Sequence, residues 1–98
     1  MRLTPEEVTA IKAAAADIFG ATATVRLFGS RVDDLLRGGD TDLHIEADHI
    51  DDEWSKRADF EAALFKLIDP RKVDVILSER GKVPRGFERI AYRDGIIL

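Results

Sequence analysis

Val8, Ile11, Ala15 and Ile18 fall on one face of a 3.6-residue period, which predicts a helix over about residues 5 to 19. Thr4 as N-cap, Pro5 at the first helical position and Glu7 closing a capping box mark its start, and Gly20 marks its end. From Thr22 to Phe28 the rhythm changes to β-branched and aromatic residues, a strand that runs straight into Gly29 and Ser30. Ser30 to Leu36 reads as a short helical turn broken by Gly38 and Gly39. Asp42 to Ala47 then alternates as a strand, with Asp42, His44 and Glu46 on one side and Leu43, Ile45 and Ala47 on the other.

Residues 51 to 68 carry the longest helical pattern, with Trp54, Ala58, Phe65 and Ile68 on one stripe and Phe60, Leu64 and Leu67 on its neighbour. A stripe that broad covers a sheet and leaves apolar area at its margin. Pro70 ends it, and Val73 to Leu77 is a short strand. The last pieces are a helix from about Pro84 to Arg93, with Phe87, Ile90 and Ala91 turned inward, and an apolar tail, Ile96 to Leu98, after Gly95.

These elements predict an α/β fold: a small mixed sheet with helices mainly on one face, in the order αβ(α)βαβα. The segment between Asp42 and Asp74 is long enough for a helical crossover, which allows an arrangement with strand two antiparallel to strand one and parallel to strand three. The end of the first strand and the starts of the other two then meet at one edge of the sheet. No repeat or linker divides the chain, and residues 1–98 are expected to form one domain.

Composition narrows the functional classes. No stretch approaches the roughly 20 apolar residues of a membrane span, and the N-terminus lacks the pattern of a signal peptide, so a soluble cytoplasmic protein without membrane contact is expected. Without cysteine there are no disulfides, thiolate metal sites or cysteine nucleophiles. The net charge of −4 argues against non-specific nucleic-acid binding, which needs clustered Lys and Arg. That charge is uneven. Glu46, Asp48, Asp51, Asp52, Glu53, Asp59 and Glu61 crowd one segment against Lys56 and Arg57, whereas positions 80 to 93 are basic. The acidic run reads either as helix-start chemistry or as a docking face for a basic partner.

Candidate chemistry lies where carboxylates interrupt strands. Asp74 breaks the apolar run Val73 to Leu77, where an unpaired buried carboxylate is costly, so it is either compensated by a partner or ligand or exposed on an edge strand. Asp40 and Asp42 stand two residues apart at a strand entrance, with α-carbons about 6.5 Å apart on one side. That spacing suits hard cations: Mg²⁺ takes oxygen ligands, and a pair of ions can clamp an in-line phosphoryl displacement. The alternative is ordinary turn chemistry for Gly38-Gly39-Asp40 and a surface position for Asp42. Gly29 and Ser30 offer close backbone approach and a hydroxyl where a turn begins, suited to phosphate oxygens; Ser30 with Asp33 is equally a helix-capping box. His44 shares the Asp42 side and reads as a satisfied supporting or surface residue, since Mg²⁺ prefers oxygen.

Taken together, Leu27-Phe28-Gly29-Ser30-Arg31, Gly38-Gly39-Asp40-Thr41-Asp42-Leu43 and Val73-Asp74-Val75-Ile76 resemble the minimal nucleotidyltransferases of the DNA polymerase β superfamily over about residues 22 to 78. The resemblance implies that Gly29, Ser30 and Arg31 contact a nucleoside triphosphate, that Asp40, Asp42 and Asp74 bind one or two Mg²⁺ ions and are catalytic, and that ATP is the substrate. It further implies an antitoxin that transfers AMP to a tyrosine of an all-helical HEPN-type toxin. One departure stands out: Val32-Asp33-Asp34 follows Gly-Ser-Arg where members often carry Ala-Arg-Gly, which leaves Arg31 or Arg37 to supply the basic contact. That departure keeps a second reading open, a non-catalytic subunit that binds nucleotide weakly and masks its partner.

Overall fold

The computed structural model describes residues 3–28 and 41–98. Its elements are α1 (Pro5–Phe19), β1 (Thr24–Phe28), β2 (Thr41–Ala47), α2 (Glu53–Leu64), β3 (Val73–Glu79), α3 (Phe87–Asp94) and β4 (Ile96–Ile97). The short turn expected over Ser30 to Leu36 lies outside the described residues.

Local chemistry sets the helix ends. Thr4 Oγ1 accepts the Glu7 amide at 3.1 Å while the Glu7 carboxylate accepts the Thr4 amide at 2.9 Å, so the capping box forms as the sequence predicts. Asp52 caps α2 by accepting the Ser55 amide at 3.2 Å. At the other end of α1 the chain turns at Gly20, whose φ of 105° favours glycine.

The four strands form one mixed sheet in the order β3-β2-β1-β4. The pairing is the one the crossover length allows: β2 is antiparallel to β1 and parallel to β3, with α2 as the crossover. The tail beyond Gly95 adds a strand the sequence pattern had not suggested, pairing Ile96 and Ile97 antiparallel with Leu27 and Arg26.

The core lies on one face. Val25 and Leu27 of β1, Leu43 and Ile45 of β2, and Val75 and Leu77 of β3 pack under Ala10, Ile11, Ala14 and Ala15 of α1 and Phe60 and Leu64 of α2. Thus α1 and α2 cover the apolar face, and α3 lies on the opposite one, reaching His44 through Tyr92. Among the described residues, no helix is long and apolar enough to cross a membrane.

Two expectations need correction, and one is met in detail. The helix expected to reach residue 68 ends at Leu64; Leu67 and Ile68 instead send their amides back to the Leu64 carbonyl in a tightened turn before Pro70. Trp54, at 80% exposure, is part of the apolar margin that the broad stripe leaves outside, while Phe60 and Leu64 are fully buried and Phe65 and Ile68 pack against the core. Phe87 and Ile90, expected inward, are 69% and 39% exposed, whereas Ala91 is buried as expected. The reason lies beneath α3: the sheet there is polar, so the helix turns Glu88, Ala91 and Tyr92 toward it and leaves its larger apolar residues outside.

Candidate active site

Side chains on the α3 face stand in three rows across the strands. The first is Phe28, Asp42 and Asp74; the second Arg26, His44 and Ile76; the third Thr24, Glu46 and Ser78. Neighbouring strands lie about 4.8 Å apart, so Asp42 and Asp74 are directly opposed, same-face carboxylates at the entrance of two parallel strands. Like charges so placed repel. Asp42 is half-buried and Asp74 exposed.

Of the two positions open to Asp74, the structure shows the exposed one on an edge strand. Its strand is the sheet's edge, and the pleat turns it away from buried Val75, so no burial cost demands a partner. What distinguishes it is its neighbour. Asp40, Gly29, Ser30 and Arg31 lie outside the described residues. In sequence Gly29 follows Phe28, which pairs with Asp42, and Asp40 precedes Thr41. Among the described residues, no group of three or more acidic or His side chains converges as a metal site.

The second and third rows hold a polar network that the sequence reading touched only at His44 and Glu46. His44 is fully buried, not at the surface. Its Nε2 lies 2.8 Å from Ser78 Oγ, and that hydroxyl lies 2.6 Å from Glu88 Oε1 on α3. A carboxylate only accepts, so the single Ser78 proton goes to Glu88, and His44 Nε2 must carry the proton it donates to Ser78. Nδ1 is then an acceptor, facing the Arg26 guanidinium at 3.4 Å. The network selects neutral His44 with its proton on Nε2. Burial, reinforced by the Arg26 charge, holds the His44 pKa below its ordinary value against the opposing pull of Glu46 and Glu88.

Around this histidine, Arg26 donates to Glu46 at 3.0 Å and stacks over Tyr92 at 4.8 Å, while the Tyr92 ring meets the His44 ring edge-on at 4.6 Å. Burial pushes the Glu46 carboxyl up, but the hydrogen bonds from Arg26 and Tyr92 and the charges of Arg26 and Arg80 outweigh it, so Glu46 titrates below its usual range. Burial also raises the Tyr92 phenol, keeping it protonated. Arg80 ties the third row to the β2 exit by contacts with Thr24 Oγ1, the Thr22 carbonyl and Asp48. Arg26, sitting between Val25 and Leu27, was the available signal: a charge inside an apolar strand, in alternation with the core.

The arrangement is thus a carboxylate pair at the strand entrances, backed along the same face by a buried, fixed network that seats α3. The chain matches no protein-family model, and no curated protein matches it significantly.

Proposed function

We propose that the chain is a minimal nucleotidyltransferase of the polymerase β type that moves AMP from ATP to a hydroxyl in the presence of Mg²⁺. The observation that carries this reading is the register of Asp42 against Asp74: two carboxylates side by side at one strand entrance, where a divalent cation finds hard oxygen donors. The donor set fits Mg²⁺, with Asp40 next in sequence to β2 as a third carboxylate. When bound, Mg²⁺ offsets the charge of the triphosphate and of the departing pyrophosphate.

In this reading Gly29, Ser30 and Arg31 hold the β- and γ-phosphates, and Asp40 and Asp42 anchor the triphosphate end of the site. The acceptor oxygen attacks the α-phosphorus, its bond to the β-phosphate bridging oxygen breaks, and pyrophosphate leaves. Asp74 takes the proton that the acceptor hydroxyl gives up. Most of the acceleration comes from positioning and electrostatics. The acceptor we propose is a tyrosine of an all-helical HEPN-type partner, so that the chain acts as an antitoxin.

Exposed Trp54, beside Asp51, Asp52 and Glu53 at the start of α2, favours a second reading in which a partner surface matters more than transfer and the chain masks its partner without modifying it. One experiment separates the two: co-expression with the adjacent reading frame, followed by mass spectrometry of the partner. Added AMP that is lost in Asp42→Asn supports transfer. A stable complex of unmodified mass, unchanged by that substitution, supports masking, and no complex at all removes the partner.

A further inference from the structure

We infer that Phe87, with Ile90 beside it, is the platform on which the nucleobase of the bound triphosphate stacks, an inference that rests on the carboxylate pair being the triphosphate site. Helix α3 crosses the strands instead of following them. Near its start Glu88 meets Ser78 of β3, and at its end Gly95 lies against Arg26 of β1. Its two flanks therefore face the two ends of the parallel strands. Tyr92 leans toward Glu46, one row beyond His44 at the exit end. At about 100° per residue, Phe87 and Ile90 lie roughly 140° and 160° around the helix from Tyr92. Their flank is turned to the entrance end, where Asp42 and Asp74 stand.

The wall so formed is aromatic and aliphatic, and it stays open: Phe87 is 69% exposed on a helix otherwise seated by polar contacts. Ile76 lies between, on the same sheet face and about 6.6 Å along β3 from both Asp74 and Ser78. A nucleotide whose phosphates sit at the carboxylates and whose sugar passes over Ile76 brings its base to the Phe87 ring. An aromatic face accepts any base by stacking, and the contact needs no hydrogen-bond code.

Calorimetry with Mg²⁺ and either ATP or inorganic tripolyphosphate tests this on the wild-type chain, Phe87→Ala and Phe87→Trp. Phe87→Ala is expected to weaken ATP about tenfold, the scale of one stacked base, and to leave tripolyphosphate unchanged; Phe87→Trp is expected to keep the ATP affinity. In NMR spectra the Phe87 ring protons should shift with ATP and not with tripolyphosphate. Equal loss of both ligands in Phe87→Ala, or no loss of ATP, overturns the platform and leaves the carboxylate site standing. Failure of wild-type protein to bind tripolyphosphate with Mg²⁺ overturns both.

Discussion

Under α1 and α2 the sheet presents Val25, Leu27, Leu43, Ile45, Val75 and Leu77, all buried and apolar. One residue away along the same strands, the other face presents Arg26, Asp42, His44, Glu46, Asp74 and Ser78. The first face needs only shape and apolar area. The second holds charges that are tolerable because each buried one has a partner, and α3 is docked through those partners instead of through its own Phe87 and Ile90. Stability therefore comes mainly from one side of a single sheet, leaving the other free to carry chemistry.

The sharpest break of this contrast is in the apolar layer. Phe60→Ala, at a fully buried position, is expected to cost about 3 to 5 kcal/mol by chemical denaturation. A loss near 1 kcal/mol would mean the core closes over the gap and is less packed than described. On the polar face, Arg26→Met leaves the Glu46 carboxylate without its closest cation and His44 Nδ1 without its donor; about 2 kcal/mol is expected. Little change there would show that Arg80 and Tyr92 suffice for Glu46.

Acid should also act through the polar face. The folded pKa of His44 lies below its unfolded value of 6.5, so the stability of the neutral form is complete above about pH 6.5 and is lost as pH falls from there through the folded pKa. Glu7 and Glu46, whose folded values lie below 4.5, add their losses only below that pH. Denaturation midpoints at pH 7.5, 6 and 5 should decline, and His44→Gln should flatten the decline between 6.5 and 5. An unchanged slope in that variant would assign the effect elsewhere.

The smallest effect has the opposite sign. Asp74→Asn removes the like charge in register with Asp42 and should stabilise the Mg²⁺-free chain by less than about 1 kcal/mol, while abolishing any stabilisation that Mg²⁺-ATP confers on the wild type. Thermal melts with and without ligand measure both halves. A variant that loses stability in the absence of Mg²⁺ would show that Asp74 supports the fold and is not held there at a cost.

The sequence yielded most where one local rule decides the outcome. Thr4 and Glu7 form their box because capping depends on three neighbouring residues, and the alignment of Asp42 with Asp74 follows from a crossover that permits a parallel pair. It yielded least where an element's orientation depends on a distant surface. That α3 turns Tyr92 inward and Phe87 outward is set by Arg26, His44 and Ser78, drawn from three strands, and periodicity within residues 84 to 93 carries no trace of them. On α2 an apolar margin was legible, but that it would fall at Trp54 was decided only by contact with α1 and the sheet. At the site, Asp42 and Asp74 were legible, and the network behind them was seen only as an odd His and Glu.

The sheet's order has a consequence for the protein's behaviour at high concentration. A β-sheet with open borders invites neighbours to extend it into fibrils, and the two borders here deter them differently. On one side the border is β4, two residues long and too brief to template a new strand. The other is β3, a full seven residues, where an incoming chain must approach Asp74 with Asp42 directly behind it. The negative charge that we propose draws a cation also acts as a gatekeeper against self-assembly, so variants neutral at Asp74 should aggregate more readily than the wild type.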